Sequence, residues 1–218
     1  MREKIKVFKG GWWNNLSYLV CNKKNCVIID PIEDERIISY CRRNKLKISA
    51  ILVTHDHFDH HQGNKMIKKF FKAKVYANKR ALMRVDKRLE DDEVFEVAGI
   101  KIKSIYTPGH NRSAVCYLIG NNLFTGDTLF VGYVGATGVF FPGSSSEQLK
   151  NSLSRIFSMD GRIIIRPGHD IGEKQSTTIA EELKKSQHKH LNNASPFRLV
   201  KRFLRDKYGK KASFDKKV

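Results

Sequence analysis

The chain lacks the features that would place it in a membrane or in a secretory pathway. No apolar run approaches the roughly 20 residues that a membrane-spanning helix requires. Residues 1–10 alternate charged and apolar side chains and do not form the apolar core of a signal peptide. We therefore expect a cytoplasmic protein with no membrane partner. A length of 218 residues is enough for one well-buried domain.

The sequence also has few cysteines, and these do not form the closely spaced pairs typical of structural zinc sites or dithiol redox sites. They are Cys21, Cys26, Cys41 and Cys116, and each lies in an apolar or strand-like setting. No Cys-x-x-Cys pair occurs, and we find no further ligands that would join Cys21 and Cys26 in a metal site. We therefore predict that all four are buried reduced thiols.

Acidic residues are scarce beside basic ones. The chain has 22 Asp and Glu against 41 Lys and Arg, which gives a formal net charge of +19. Such a charge attracts anions, including nucleic acids and phosphorylated or carboxylated substrates. The excess is spread along the chain and is concentrated only at residues 198–217, so a lysine-rich solvated surface is the favoured interpretation. We expect an anionic small-molecule substrate, with nucleic acid as a less favoured partner.

Apolar periodicity predicts strands and helices in two groups. The first group has strands at 4–8, 16–21, 26–30, 48–53 and 74–77, with helices at 33–44 and 64–71. The second has strands at 94–97, 100–106, 114–119, 122–125 and 162–165, with helices at 147–157 and 173–186. This order favours two packed sheets with helices outside, a four-layer αββα sandwich of the α/β class. We expect one domain at residues 1–195 and a basic tail at 196–218 with the apolar spacing of an amphipathic helix.

Six of the eight histidines lie in three short segments, and the densest segment follows an apolar strand. Residues 54–60 read Thr-His-Asp-His-Phe-Asp-His. His55 and His57 are two residues apart, so their side chains leave the same side of an extended segment. Asp59 and His60 follow where the chain turns toward a helix, so they approach the same space from another direction. This spacing predicts two neighbouring ligand sets of the nitrogen and oxygen types that suit Zn²⁺, Fe or Mn.

Three further candidate ligands each follow a predicted strand. His110 and His169 both follow a Pro-Gly pair, and Asp127 follows Thr-Gly. A glycine directly before a ligand allows the backbone to turn sharply and approach closely. A polar loop with satisfied side chains would not be expected to repeat this arrangement at three strand ends. A metal centre is therefore favoured, with the candidate ligands His55, His57, Asp59, His60, His110, Asp127 and His169.

Four segments carry a resemblance to a known family. They are His-x-His-x-Asp-His at 55–60, Thr-Pro-Gly-His at 107–110, Leu-Phe-Thr-Gly-Asp-Thr-Leu-Phe at 123–130 and Pro-Gly-His at 167–169. Together they resemble the metallo-β-lactamase superfamily and, within it, the glyoxalase II-like hydrolases. The resemblance covers roughly residues 5–182. It implies one metal ion held by His55, His57 and His110, a second held by Asp59, His60 and His169, and Asp127 as a bridge between them.

The resemblance implies a metal-dependent hydrolase, and we expect thioester hydrolysis of the hydroxyacylglutathione hydrolase kind. Two divalent ions, Zn²⁺ first and Fe or Mn as alternatives, would share a hydroxide that attacks the substrate carbonyl. Asp59 would be the catalytic residue, because it would orient that hydroxide and take up its proton. Asp30 and Asp56 are candidates for accepting the second N–H of ligand imidazoles. For each of these two, a surface or strand-end carboxylate is an equal alternative.

Other functions stay open at this point. Persulfide dioxygenase-like relatives use the same fold with a single iron, and RNA-processing relatives use the same ligands as nucleases or phosphodiesterases. A non-catalytic protein that keeps the fold is a further alternative. Residues 135–138 read Gly-Ala-Thr-Gly where relatives often have Gly-Arg and an acidic residue near the substrate, so the substrate is not identified. We expect the loop at 130–146, with Tyr133, Phe140 and Phe141, to border the substrate or to pack internally.

Overall fold

The computed structural model describes residues 3–139, 141 and 143–188 of the chain. Within this part, two six-stranded sheets pack face to face and helices cover their outer faces. The predicted αββα sandwich is therefore confirmed. The tail predicted at 196–218 and Phe140 lie outside the described residues, and the domain boundary at residue 195 stays a prediction. No helix in the described part is long and apolar enough to cross a membrane.

The first sheet has its strands in sequence order. They are β1 (Lys4–Gly10), β2 (Asn15–Asn22), β3 (Asn25–Ile29), β4 (Lys47–Leu52), β5 (Lys74–Asn78) and β6 (Lys87–Leu89). β1, β2 and β3 are antiparallel, whereas β3 to β6 run parallel. Two of the parallel connections contain a helix, α1 (Glu35–Arg43) between β3 and β4 and α2 (Asn64–Phe71) between β4 and β5. These helices carry the chain back across the sheet, as a parallel connection requires.

The second sheet also has its strands in sequence order. Its strands are β7 (Val94–Val97), β8 (Ile100–Tyr106), β9 (Val115–Ile119), β10 (Asn122–Gly126), β11 (Ile164–Pro167) and β12 (Thr177–Thr178). β10 and β11 are parallel, and α3 (Ser146–Phe157) connects them. The last described helix, α4 (Ile179–His188), follows β12. The carboxyl ends of β4, β10 and β11 are thus free to carry polar loops at the sandwich edge.

Alternation along the strands produces the layers. On β2, one set of side chains points between the sheets and the next set points toward the helices, as the twofold period of a strand requires. The inner layer includes Leu16, Tyr18, Val20, Val115, Tyr117 and Ile119. The layer under α1 and α2 includes Leu19, Cys21, Ile37, Ile38, Cys41 and Ile67. The layer under α3 includes Ile105, Ile165, Leu149, Leu153 and Ile156.

Most predicted elements are confirmed, and the differences have local causes. The helix predicted at 173–186 begins only at Ile179, because Thr177 and Thr178 pair with β11. The helix predicted at 33–44 begins at Glu35, since the Asp34 side chain caps it by accepting a hydrogen bond from the Arg36 backbone N–H. The short strands β6 and β12 were not predicted. Strands of two or three residues have too little alternation to be recognised.

Cys21 and Cys26 form a disulfide bond, which corrects the prediction of four reduced thiols. The two residues lie directly opposite each other in the β2–β3 register, so their side chains leave the same face. Their Cα atoms are 4.1 Å apart. The other two cysteines, Cys41 and Cys116, are free and buried, as predicted.

We expect protein purified without reductant to show two reactive thiols in denaturant, and four after reduction. The paired substitution Cys21→Ser and Cys26→Ser should lower the free energy of unfolding by about 2 kcal/mol at most, because the bond closes a short loop and removes little denatured-chain entropy. Thiol titration and urea unfolding measure the two effects. Four reactive thiols before reduction would contradict the bond.

Gly109 allows a close contact that positions the chain just before His110. Its φ is +141°, and a Cβ there would lie 2.3 Å from the Cα of Leu149 in α3. The Gly109 carbonyl also accepts a hydrogen bond from the Ser145 N–H at 2.7 Å, directly before α3. Any side chain at this position would push α3 away from the loop that carries His110.

Gly109→Ala should therefore lower the free energy of unfolding by about 3 kcal/mol or more. Gly138→Ala is the matched control, because its φ is +119° and no described atom lies within 4 Å of the position that an alanine methyl group would take. In the control, the free energy of unfolding should fall by only about 1–3 kcal/mol, which is the cost of placing alanine at a positive φ. Urea unfolding of both variants measures the difference, and equal losses would show that the Leu149 contact is unimportant.

Candidate metal centre

Four strand ends bring seven ligand-type side chains to one edge of the sandwich. Four of these side chains follow β4, and β8, β10 and β11 are each followed by one more. All seven candidates named from the sequence meet at this edge, in three overlapping groups whose ligand atoms lie within 4.8 Å of one another. The groups are His55–His57–His110, His55–His60–Asp127 and Asp59–His60–His169.

The first group consists of three imidazoles. His57 Nδ1 lies 3.0 Å from His55 Nε2 and 3.2 Å from His110 Nε2. His55 and His57 leave the same side of the extended segment after β4, and His110 approaches from the loop after β8. Three ring nitrogens that converge at this separation form a donor set typical of Zn²⁺.

The group of Asp59, His60 and His169, called the second group from here on, contains one carboxylate and two imidazoles. His169 Nε2 lies 3.2 Å from His60 Nε2 and 3.3 Å from Asp59 Oδ2. Asp59 and His60 belong to a short 3-10 turn at Phe58–His60, which rotates their side chains away from the direction of His55 and His57. The change from extended chain to turn is what separates one motif into two ligand groups.

Asp127 lies between the two groups. Its Oδ1 is 3.3 Å from His60 Nε2 and 3.4 Å from His169 Nε2, and its Oδ2 is 3.6 Å from His110 Nε2. Oδ1 is buried and has no hydrogen-bond partner among the described residues. A buried carboxylate oxygen that accepts no hydrogen bond is costly, and a metal ion beside it would remove that cost. The site therefore fits a divalent metal centre.

Three of the ligand imidazoles are also held in orientation by contacts at their other ring nitrogen, Nδ1. The His60 Nδ1 lies 2.8 Å from Asp30 Oδ2. The His110 Nδ1–H donates to the Ala136 carbonyl at 2.8 Å, and the His169 Nδ1–H donates to the Trp13 carbonyl at 3.1 Å. Such contacts leave the opposite ring nitrogen, Nε2, directed at the ligand groups.

Of the two predicted orienting carboxylates, only Asp30 has this role. Asp30 contacts His60 and also accepts hydrogen bonds from the N–H and hydroxyl of Thr54, which fixes the turn into the motif. Asp56 instead accepts from the Leu82 N–H at 2.8 Å and the Ser113 hydroxyl at 3.0 Å, and so joins two loops. The sequence did not identify Asn15, whose side chain donates to Asp59 Oδ2 at 2.9 Å. Asn15 begins β2 and lies 44 residues from Asp59 in the chain, so the sequence carried no local signal for this contact.

The second group is a network of opposite charges. Burial alone would lower the pKa of His60, but Asp127 and Asp30 outweigh it and raise this pKa well above its usual value. Burial would also lower the pKa of His169, but Asp127 and Asp59 outweigh it and raise this pKa to about 9. Burial would raise the pKa of Asp59, but the contacts with His169 and His60 lower it to about 2. The pKa of Asp127 is held well below its usual value against burial by the same two histidines.

In the first group, by contrast, the pKa values of the imidazoles are lowered. Burial and the neighbouring His60 hold the pKa of His55 well below its usual value. Burial is also the main reason that the pKa values of His57 and His110 are lowered. These three imidazoles are therefore neutral at pH 7, which is the form that binds a metal ion.

Aromatic side chains surround the ligand groups. The ring centroid of Phe141 lies 5.3 Å from that of His110 and 6.3 Å from that of His57, so this part of the predicted loop borders the site. Phe130 lies 6.1 Å from His169. His61 is turned toward the ring of Phe58, at 5.7 Å, and belongs to none of the ligand groups found among the described residues.

Comparison with known proteins identifies relatives along most of the chain. A family model of the metallo-beta-lactamase superfamily matches residues 10–169. A probable polyketide biosynthesis zinc-dependent hydrolase, BaeB of Bacillus velezensis, is 33% identical over 182 residues, which cover 79% of this chain and 80% of that protein. Hydroxyacylglutathione hydrolases of Dictyostelium discoideum and Francisella tularensis subsp. novicida are 35% and 36% identical, and each match covers 72% of this chain. The chain spans only 62% and 63% of the length of these two enzymes.

Solved structures show the same fold. ETHE1 from Myxococcus xanthus matches with a TM-score of 0.78 and 25% identity, over 84% of this chain and 82% of that chain. The BLEG-1 B3 metallo-beta-lactamase matches with a TM-score of 0.76 and 26% identity, over 83% of this chain and 97% of that chain.

Asp30→Asn should weaken metal binding by about 10- to 100-fold, because the amide replaces the carboxylate that orients His60. Asp56→Asn is the matched control. Asp56 lies in the 54–60 segment beside the ligands, but its carboxylate accepts hydrogen bonds from the Leu82 N–H and the Ser113 hydroxyl and accepts none from a ligand imidazole among the described residues. Competition with a chromophoric chelator measures both affinities. If the two variants bound metal equally well, the orienting role of Asp30 would be wrong.

Proposed function

We propose that this chain, which belongs to the metallo-beta-lactamase superfamily, is a metal-dependent hydrolase that cleaves thioesters. The observation that carries the proposal is the arrangement of the seven side chains in two ligand groups with the Asp127 carboxylate between them. Two separate groups with a shared carboxylate are suited to two divalent ions. A binuclear hydrolytic site is therefore favoured over a site for one ion.

The residues divide into two ligand sets. His55, His57 and His110 would hold one ion, and Asp59, His60 and His169 would hold the other. Asp127 would bind both. Imidazole and carboxylate ligands favour Zn²⁺ and are also compatible with Fe or Mn. When bound, such ions lower the pKa of water toward neutrality and polarise a substrate carbonyl.

The protein contributes orientation and charge to this chemistry. Asp59 is ionised at neutral pH, and Asn15 holds its Oδ2 from one side. As an anion, Asp59 can accept a hydrogen bond from the attacking water and orient it, and we infer that it is also the group that receives the proton. The apolar ring of Phe141 borders the other ligand group.

A thioester suits this arrangement because of its leaving group. An ordinary thiol has a pKa of about 8.5, so a thiolate departs without needing a proton from the protein. The ring nitrogens Nδ1 of the ligands His60, His110 and His169 are already engaged by Asp30 and by backbone carbonyls, so they are not free to protonate a leaving group. The hydroxyacylglutathione hydrolases and the zinc-dependent hydrolase among the relatives support the same reaction class.

We expect about two equivalents of metal per chain and thioesterase activity that a chelator removes and Zn²⁺ restores. Asp59→Ala should lower kcat/KM by at least about 100-fold, since the water loses its orienting and proton-accepting group. His110→Ala should lower both metal content and activity. His61→Ala is the matched control and should keep its metal content, because His61 lies outside the ligand groups. Elemental analysis and a panel of thioesters, lactones and phosphodiesters provide the measurements.

The same measurements separate the other candidate functions. One iron per chain with consumption of oxygen would favour a persulfide dioxygenase-like enzyme. The net charge of +19 is the observation that favours a nuclease, and phosphodiester cleavage with salt-dependent RNA binding would support it. Equal activity of wild type, Asp59→Ala and His110→Ala on every substrate would contradict hydrolysis at this site.

A further inference from the structure

Trp12, Trp13 and Phe58 form a group of exposed aromatic side chains, here named the aromatic platform. Their exposed fractions are 58%, 51% and 57%. The ring centroid of Trp12 lies 5.8 Å from that of Phe58 and 6.2 Å from that of Trp13. Large aromatic side chains that stand together in water mark a surface that binds an apolar group.

The aromatic platform is joined directly to the metal centre. Phe58 lies between the two candidate ligands His57 and Asp59 in the chain. The carbonyl of Trp13 accepts the hydrogen bond of the His169 Nδ1–H at 3.1 Å. The backbone that carries the platform therefore adjoins the Asp59–His60–His169 group, whereas the ring of Phe141 borders the His57 and His110 side.

The turn that carries the tryptophans is held in an uncommon backbone conformation. Trp13 has φ 51° and ψ 35°, and Asn14 has φ 59°, which are left-handed values that bulky residues rarely adopt. Such a conformation persists only where the surroundings impose it. Here the Asp170 N–H donates to the Asn14 carbonyl at 2.9 Å, and the Leu16 N–H donates to the Gly168 carbonyl at 2.8 Å. The tryptophan turn is thus fixed to the strand end that carries His169.

We propose that the aromatic platform binds an apolar acyl group, of phenyl size or larger, attached to the carbonyl that the enzyme attacks. The proposal rests on the proposed function, because the carbonyl must lie at the ligand groups. Phe58 stands between two candidate ligands in the chain, and the proposal places the acyl substituent of the attacked carbonyl against its ring. Contact between the acyl group and the rings removes apolar surface of both from water. The thiol portion then extends along the opposite side, past Phe141.

Tryptophan fluorescence reports on this platform directly, because Trp12 and Trp13 are the only two tryptophans of the chain. The probes are acetate, butanoate, hexanoate and octanoate, which are acyl products that do not react, titrated into the zinc-loaded protein. We expect the emission to shift to shorter wavelength and the dissociation constant to fall about two- to fourfold per added methylene. The same dissociation constant and emission for acetate and octanoate would overturn the proposal.

Kinetics with the same acyl series on one thiol test the platform independently. In wild type, kcat/KM should rise from the acetyl to the octanoyl thioester, and Phe58→Ala should lower the octanoyl-to-acetyl ratio about tenfold. Phe70→Ala is the matched control, because Phe70 is an exposed aromatic on α2 that contacts Arg42, 4.9 Å away, on α1. The control should keep the wild-type ratio. An unchanged ratio in Phe58→Ala, or a preference that appears only when the thiol is lengthened, would overturn the proposal.

The two experiments separate this proposal from the proposed function. Fluorescence shifts that depend on chain length, with no hydrolysis of any thioester, would support the platform and contradict the thioesterase. Hydrolysis of acetyl and octanoyl thioesters at equal kcat/KM would support the thioesterase and contradict the platform.

Discussion

Five imidazoles and two carboxylates crowd together at one edge of the sandwich, and the rest of the site depends on how these polar groups compensate one another. Moving a carboxylate out of water is costly unless opposite charge or hydrogen bonds replace the lost solvent. Asp59 and Asp127 face His60 and His169, whose pKa values are raised in response. The compensation is incomplete at Asp127 Oδ1, which is buried without a hydrogen bond from the described residues. Metal binding would displace the protons of these imidazoles and place a cation beside this oxygen, and this is the physical basis of the metal-centre assignment.

The seven side chains are brought together by loops that follow strands of both sheets. The motif after β4 belongs to the first sheet, whereas His110, Asp127 and His169 follow strands of the second. Backbone carbonyls in two other loops, at Trp13 and Ala136, orient imidazoles from outside. The ligand groups therefore lie where the two sheets meet. Contacts away from these groups, such as Gly109 against α3, affect the site only by fixing the positions of the loops that carry the ligands.

Much of this could be predicted from the sequence, because strand alternation and the spacing of the histidine motif are local signals. The positions of the seven candidate ligands after predicted strands identify them, and the structure brings all seven together. The roles of Asn15 and Trp13 could not be predicted, since both depend on contacts with residues far along the chain. The disulfide was missed although both strands that carry its cysteines were predicted, at 16–21 and 26–30. Placing Cys21 opposite Cys26 requires the turn length, and a shift of one residue would have separated them.

The most direct test of the account is anomalous X-ray diffraction, at the zinc absorption edge, from crystals of the zinc-loaded protein. The account predicts two peaks, one among His55, His57 and His110 and the other among Asp59, His60 and His169, with the Asp127 carboxylate between them. A single peak, or peaks outside these two groups, would contradict it.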